Sequence, residues 1–297
     1  MNGNRQHSFI DSCLRPPAVR KRPESLKFRN STGCRAGIVR AIPDWVAFTG
    51  TVQVVVWPKR QSVKQNGERL VSDLTIALLR QEATTFSEVE STYPEPSLYG
   101  VSDGKAIGTY LEHKFRAYLT AKGYAYVMGN AANGLDFPGL DVDIKVTSIR
   151  QPQSSCPFRS IKQKVYGLGY SLLVFVYDKA DDPKKRVAVL RMVNTVFVDA
   201  AQTADFQMTQ GIRKIIADGG SADVIRQDLM AFMEARSLTS DEGELRELAD
   251  ALVAKVPEQG YLTISPALQW RLQYKRVMEK AGSVEGVMCV FKTQPLP

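Results

Sequence analysis

The chain has 297 residues, 44% hydrophobic and 24% charged, with a formal net charge of +8. This composition predicts a globular protein of one large or two modest domains, with enough apolar material for a sizeable core. No apolar run approaches the roughly 18 to 20 residues of a membrane span, and the N-terminus lacks the apolar core of a secretory signal, so no membrane association and a cytoplasmic location are expected. The four cysteines, Cys13, Cys34, Cys156 and Cys289, form no CxxC pair and have two histidines to join them. A zinc site and a disulfide framework are thereby disfavoured.

Residues 1–40 hold nine Lys/Arg against Asp11 and Glu24. Rich in Arg, Pro, Ser, Asn and Gly, they read as a basic, disordered arm or an upstream extension. Residues 41–98 form an accessory segment. In it Val52–Trp57, ended by Pro58, has a strand pattern, and Leu70–Glu82 has the helical spacing of Leu74, Leu78 and Leu79. The run TYPEPS (Thr92–Ser97) then breaks the chain. A helix is predicted from Ser102 or Asp103, either a good N-cap, to Gly123, with Ile107, Leu111, Phe115 and Leu119 as its buried stripe. Tyr124–Met128 reads as a strand, followed by a hairpin at 134–148, a loop at 151–158 and a helix near Arg159–Leu168. Strands follow at Ser171–Asp178 and Val187–Val198. Beyond Asp205 helices are predicted at about 206–217, 222–236, 241–255 and 265–281, with a closing strand GVMCVF. The order implies an α/β fold, a mixed central β-sheet flanked by helices, with a mostly helical C-terminal part at 201–297 packed on the core.

The hairpin, GLDFPGLDVDIKVTS, carries the chemistry. Strand alternation turns Asp141, Asp143 and Lys145 to one face and Val142, Ile144 and Val146 to the core. With a turn at Pro138-Gly139, Asp136 sits across from Asp141 and diagonal to Asp143, at a Cβ separation of roughly 7 Å. Clustered carboxylates repel one another, and a divalent cation such as Mg²⁺ relieves that cost while retaining water. Lys145 on the same face can stabilise charge on a phosphoryl oxygen or orient an attacking water. Residues 145–191 add ten Lys/Arg against three aspartates, a surplus suited to a polyanion.

Asp136 followed by Asp143-Ile144-Lys145 resembles the PD-(D/E)xK nuclease motif, and DIKVTS is similar to the catalytic strand of several type II restriction endonucleases. The order of elements over residues 104–178 resembles that superfamily's core of helix, three strands, helix and strand. The resemblance implies a nuclease core at 99–200 in which Asp136 and Asp143 bind the metal and Lys145 assists the water. Glu112, mid-helix in GTYLEHKF, matches the helical acid that some members add. The step from Asp136 to Asp143 is shorter than is usual for the family, so Asp141 stands as an alternative first ligand.

In such a nuclease Arg159, Lys162, Gln163 and Lys164 would touch phosphates or a base edge, and Arg271 and Lys275 would approach the DNA from a helix. The implied function is Mg²⁺-dependent, sequence-specific hydrolysis of double-stranded DNA by a homodimer. Alternatives are a repair or junction nuclease of the same superfamily and a non-catalytic DNA-binding protein on a degenerate nuclease fold. A nucleotide cofactor is not expected: GVSDGKA lacks Walker spacing, and GLGY opens a strand rather than a helix.

Overall fold

The computed structural model describes residues 72–129, 134–157, 159–265 and 270–293. The basic arm, the Val52–Trp57 strand and the start of the first predicted helix lie outside the described residues. Strand β1 (Ser72–Asp73) leads into helix α1 (Ile76–Glu90), whose first turn is closed by the Thr75 hydroxyl accepting the Leu78 N–H. After β2 (Pro94–Glu95) comes α2 (Gly104–Lys122). Asp103 caps α2 through the N–H groups of Lys105 and Ala106, and Gly123 ends it at φ 86°, a left-handed conformation that glycine adopts without strain. Both ends agree with the sequence reading. The strand expected at Tyr124–Met128 is shorter: β3 (Tyr124–Ala125) pairs with β1 in a separate two-stranded sheet.

The central sheet is built from β4 (Val142–Ser148), β6 (Ser171–Asp182), β7 (Val187–Val198) and β10 (Val287–Lys292), in the order β10-β7-β6-β4, with β2 added to β7. The β4–β6 pair is parallel and the β6–β7 and β7–β10 pairs are antiparallel, as a mixed sheet requires. Its strands β6 and β7 are central. Accordingly β6 is buried on both faces, which explains why its sequence is a continuous apolar run rather than an alternating one. Leu173, Phe175 and Tyr177 face α1 and α2, packing against Phe86, Leu111 and Phe115, while Leu172, Val174 and Val176 face the opposite layer.

That opposite layer departs from the sequence reading. The predicted loop at 151–158 contains β5 (Gln153–Cys156); β8 (Thr263–Ile264) precedes the helix predicted at 265–281, which instead holds β9 (Trp270–Gln273) and the short helix α7 (Lys275–Lys280). These strands pair antiparallel in the order β5-β9-β8. The period explains the correction: Trp270, Leu272 and Tyr274 are buried while Arg271 and Gln273 are exposed, an alternation of two that pairing with β5 selects over a helical reading. Helix α3 (Lys162–Tyr166) is also shorter than the helix expected at 159–168. Helices α4 (Phe206–Asp218), α5 (Ala222–Ala235) and α6 (Glu242–Ala254) follow the predicted pattern and share an apolar cluster with Val165 that includes Met208, Ile212, Leu229 and Leu248. Among the described residues no helix is long and apolar enough to cross a membrane.

Candidate active site

Within the central sheet β4 is an edge strand, so its outer side is free to receive other groups. Parallel pairing with β6 and the alternation of its side chains bury Val142 and Ile144 and turn Asp143 and Lys145 to the opposite face. The segment leading into β4 folds back on it through an antiparallel bridge between Phe137 and Val142. The Leu140 and Val142 N–H groups donate to the Phe137 carbonyl at 3.0 and 3.2 Å, which closes a turn over residues 138–141.

This turn is two residues longer than the Pro138-Gly139 turn expected, and the change resets the register. Asp136 now stands opposite Asp143, and Asp141 is absorbed into the turn, exposed and at φ 52°. The expected face of three aspartates is therefore corrected to two. Asp136 is held in place from two sides: its Oδ2 accepts the Ile144 N–H at 2.8 Å, and its Oδ1 lies 3.3 Å from the Arg116 guanidinium. A backbone donor of the free sheet edge is satisfied in this way. Arg116 Nε is buried with no hydrogen-bond partner among the described residues.

Lys145 Nζ lies 2.5 Å from Asp143 Oδ2. Burial pushes the Asp143 carboxyl up to about 6; Lys145 opposes the shift, and the Asp136 carboxylate within hydrogen-bonding reach adds to it. Burial works to lower the Lys145 pKa, but the Asp143 carboxylate outweighs it and holds the ammonium above its ordinary value. Glu112 enters from α2. Its carboxyl is raised to about 7 by burial first and by Asp136 second, with Lys145 and Arg116 opposing and Asp143 adding to the rise. Glu112, Asp136, Asp143 and Lys145 thus act on one another through space at the edge of β4. Among the described residues no group of three or more His, Cys, Asp or Glu side chains is arranged to hold a metal ion by itself.

The other sequence candidates divide. Arg159 and Lys162 are exposed, with Arg159 close enough to Cys156 and Tyr170 to influence them electrostatically. Gln163 is committed to backbone: its amide donates to the Leu168 carbonyl at 3.0 Å and accepts the Arg159 N–H at 3.3 Å. Lys164 is buried, and burial lowers its pKa against the pull of Asp205. Lys164 is thus drawn into the interior, a correction to the surface position that the sequence reading gave it, whereas Gln163 is half-buried. Arg271 is exposed on β9 instead of on a helix, and Lys275 is exposed at the start of α7.

Three residues that the sequence reading did not select adjoin the site. Arg116 was visible one helical turn beyond Glu112, but its role as the partner of Asp136 depends on how α2 meets the hairpin. Cys156 is buried with its Sγ 3.8 Å from the Tyr170 hydroxyl, and burial raises its thiol pKa. No spacing signal in the sequence joins these positions to Lys145.

The family model of the type II restriction enzyme NspV matches residues 73–289. The chain is similar to the type II restriction enzyme NspV of Nostoc sp. (strain ATCC 29411 / PCC 7524), with 58% identity over 222 residues that cover 75% of this chain and 99% of that protein. No solved structure matches. The match takes in β2, β4, β6 and β7, the start of β10, the Asp136–Lys145 hairpin and α2, and the chain belongs to the NspV family of type II restriction enzymes.

Proposed function

We propose that the protein is a type II restriction endonuclease that hydrolyses phosphodiester bonds of double-stranded DNA at a defined sequence. The observation that carries this reading is the convergence of Asp136, Asp143 and Lys145 at the free edge of β4, in a chain of this family. Asp136 and Asp143 are the proposed ligands of a divalent cation, with Glu112 beside them. The residues fit such an ion: two carboxylates supply hard oxygen donors, and the crowding that raises the Asp143 pKa is a charge imbalance that a cation relieves. Mg²⁺ is the proposed ion, because it keeps several of its waters and needs few protein ligands. When bound, the cation supplies Lewis-acid charge that strengthens water as a nucleophile and neutralises charge on the phosphoryl oxygens.

The chain's own groups do the rest. Lys145, held as an ammonium by Asp143, donates hydrogen bonds to the scissile phosphate or to the attacking water, and stabilises negative charge as it builds on phosphorus. Arg116 fixes Asp136, and the Ile144 N–H orients the second oxygen of the same carboxylate. Water attacks in line and the 3′ oxygen leaves, the course that the nuclease resemblance implies. Arg159 and Lys162, both exposed, are proposed contacts to the DNA backbone. A homodimer is proposed as well, because a two-fold protein matches a palindromic duplex. Incubation of the full chain with plasmid DNA and Mg²⁺ is expected to give a fixed ladder of fragments. Sequence-independent nicking would favour a repair enzyme, and intact DNA would leave only binding.

A further inference from the structure

The small sheet β5-β9-β8 has two unlike faces. Cys156, Trp270, Leu272 and Ile264 are buried in one apolar cluster with Leu172, Val174 and Val176 of β6. The register pairs Gln153 with Gln273, Ser155 with Arg271 and Thr263 with Gln273, so these five side chains share the outer face. All five are hydrogen-bonding groups, and none is a carboxylate. Arg271, Gln273 and Ser155 are exposed.

This face is tied to the cleavage strand. The chain passes from β4 to β5 through residues 149–152, and Thr147 anchors that passage. Its Oγ1 lies 3.0 Å from the Gln151 carbonyl oxygen and 3.1 Å from that of Gln153, and it accepts the Gln153 N–H at 3.0 Å. Arg271 and Gln153 line a groove of about 880 Å³ together with Thr147 and Arg150. Its carboxylates are already neutralised, Asp178 by Arg191 and Asp181 by Lys179. Among the described residues Arg150 and Arg271 meet no carboxylate of their own.

We infer that the outer face of β5-β9-β8 reads base edges of the bound duplex, with Arg271 and Gln273 as its principal specificity-determining residues and Gln153 beside them. The inference rests on the restriction-endonuclease reading above and names the surface that gives it sequence preference. A guanidinium pairs bidentately with the O6 and N7 of guanine, a carboxamide with the N6 and N7 of adenine, and a β-ribbon fits the major groove. Four residues of strand, roughly 13 Å, match about four steps of 3.4 Å along the duplex. A face with no carboxylate adds no repulsion against phosphates. The anchored β4–β5 passage fixes the distance between the reading face and Lys145, so register on the bases sets which phosphate is cut.

The test uses the full chain with Mg²⁺ and a randomised duplex library, with sequencing of the cut ends. The unsubstituted protein defines the recognition sequence. Arg271→Ala and Gln273→Ala are each expected to lose discrimination at particular base pairs by about 10- to 100-fold, while their melting temperatures stay unchanged because both positions are exposed. Arg271→Lys is expected not to restore discrimination, since an ammonium lacks the planar fork. The inference is overturned if the variants keep the original base preference, or if they weaken binding uniformly across sequences and Arg271→Lys rescues it, the behaviour of a phosphate contact. Cutting without sequence preference by the unsubstituted chain would defeat the restriction reading itself, and is distinguished by appearing before any substitution is made.

Discussion

Asp136 and Asp141 lie five residues apart in the sequence and compete for one role; the length of the turn between them separates their positions. A two-residue turn would have set Asp141 opposite Asp136, whereas the turn over residues 138–141 sets Asp143 there and leaves Asp141 at φ 52°. Aspartate tolerates that left-handed conformation, so the residue type gave no warning. Asp136→Asn, Asp143→Ala and Lys145→Ala are each expected to reduce cleavage at least about 100-fold with the far-ultraviolet circular dichroism unchanged. Asp141→Asn is expected to retain cleavage near the original rate, and loss of activity there would reverse the choice between the two aspartates. A second buried pair is structural. Glu90 lies 2.8 Å from Lys114, whose ammonium also sits 3.5 Å from the centre of the Tyr93 ring. Burial raises the Glu90 pKa despite Lys114, so Lys114→Met strands a buried acid. It is expected to cost roughly 3 to 5 kcal/mol in urea unfolding, and adding Glu90→Leu is expected to recover most of that.

At the scale of elements, single polar side chains hold the small sheet to its neighbours. Thr147 pins the β4–β5 passage, and Thr147→Val is expected to cost about 1 to 3 kcal/mol and to lower the cleavage rate by loosening the strand that carries Lys145. Asp205 does the equivalent at β8. Its Oδ1 caps α4 by accepting the Met208 N–H and its Oδ2 accepts the Ile264 N–H, both at 2.8 Å. Asp205→Ala is expected to destabilise the protein by roughly 2 to 4 kcal/mol, measured by chemical denaturation. The Asp205 tie connects segments some sixty residues apart in sequence. The pattern at β9 reads as helix because its partner β5 lies about 120 residues upstream, and nothing within 265–281 announces that pairing.

For the whole molecule, strands from residues 94–95 and 287–292 both join β7, so the central sheet gathers segments on either side of residues 99–200. The family match begins at residue 73. Deletion of residues 1–40 is accordingly expected to leave specific cleavage intact in a plasmid digest, and loss of DNA affinity would mark that segment as a clamp. Sedimentation of the full chain is expected to give twice the mass of one chain. The sequence by itself determined that α2 begins at Ser102 or Asp103 and ends at Gly123, the buried run of β6 and the shared face of Asp143 and Lys145. Each is a local property, set by capping chemistry, by apolar content or by the two-residue period of a strand. Only the tertiary structure decided which acid faces Asp143, that Arg116 holds it, that Lys164 is buried, and that Arg271 lies on a sheet. Those outcomes depend on pairings between distant segments, where the register of a turn and the partner of a strand set the position of every side chain that follows.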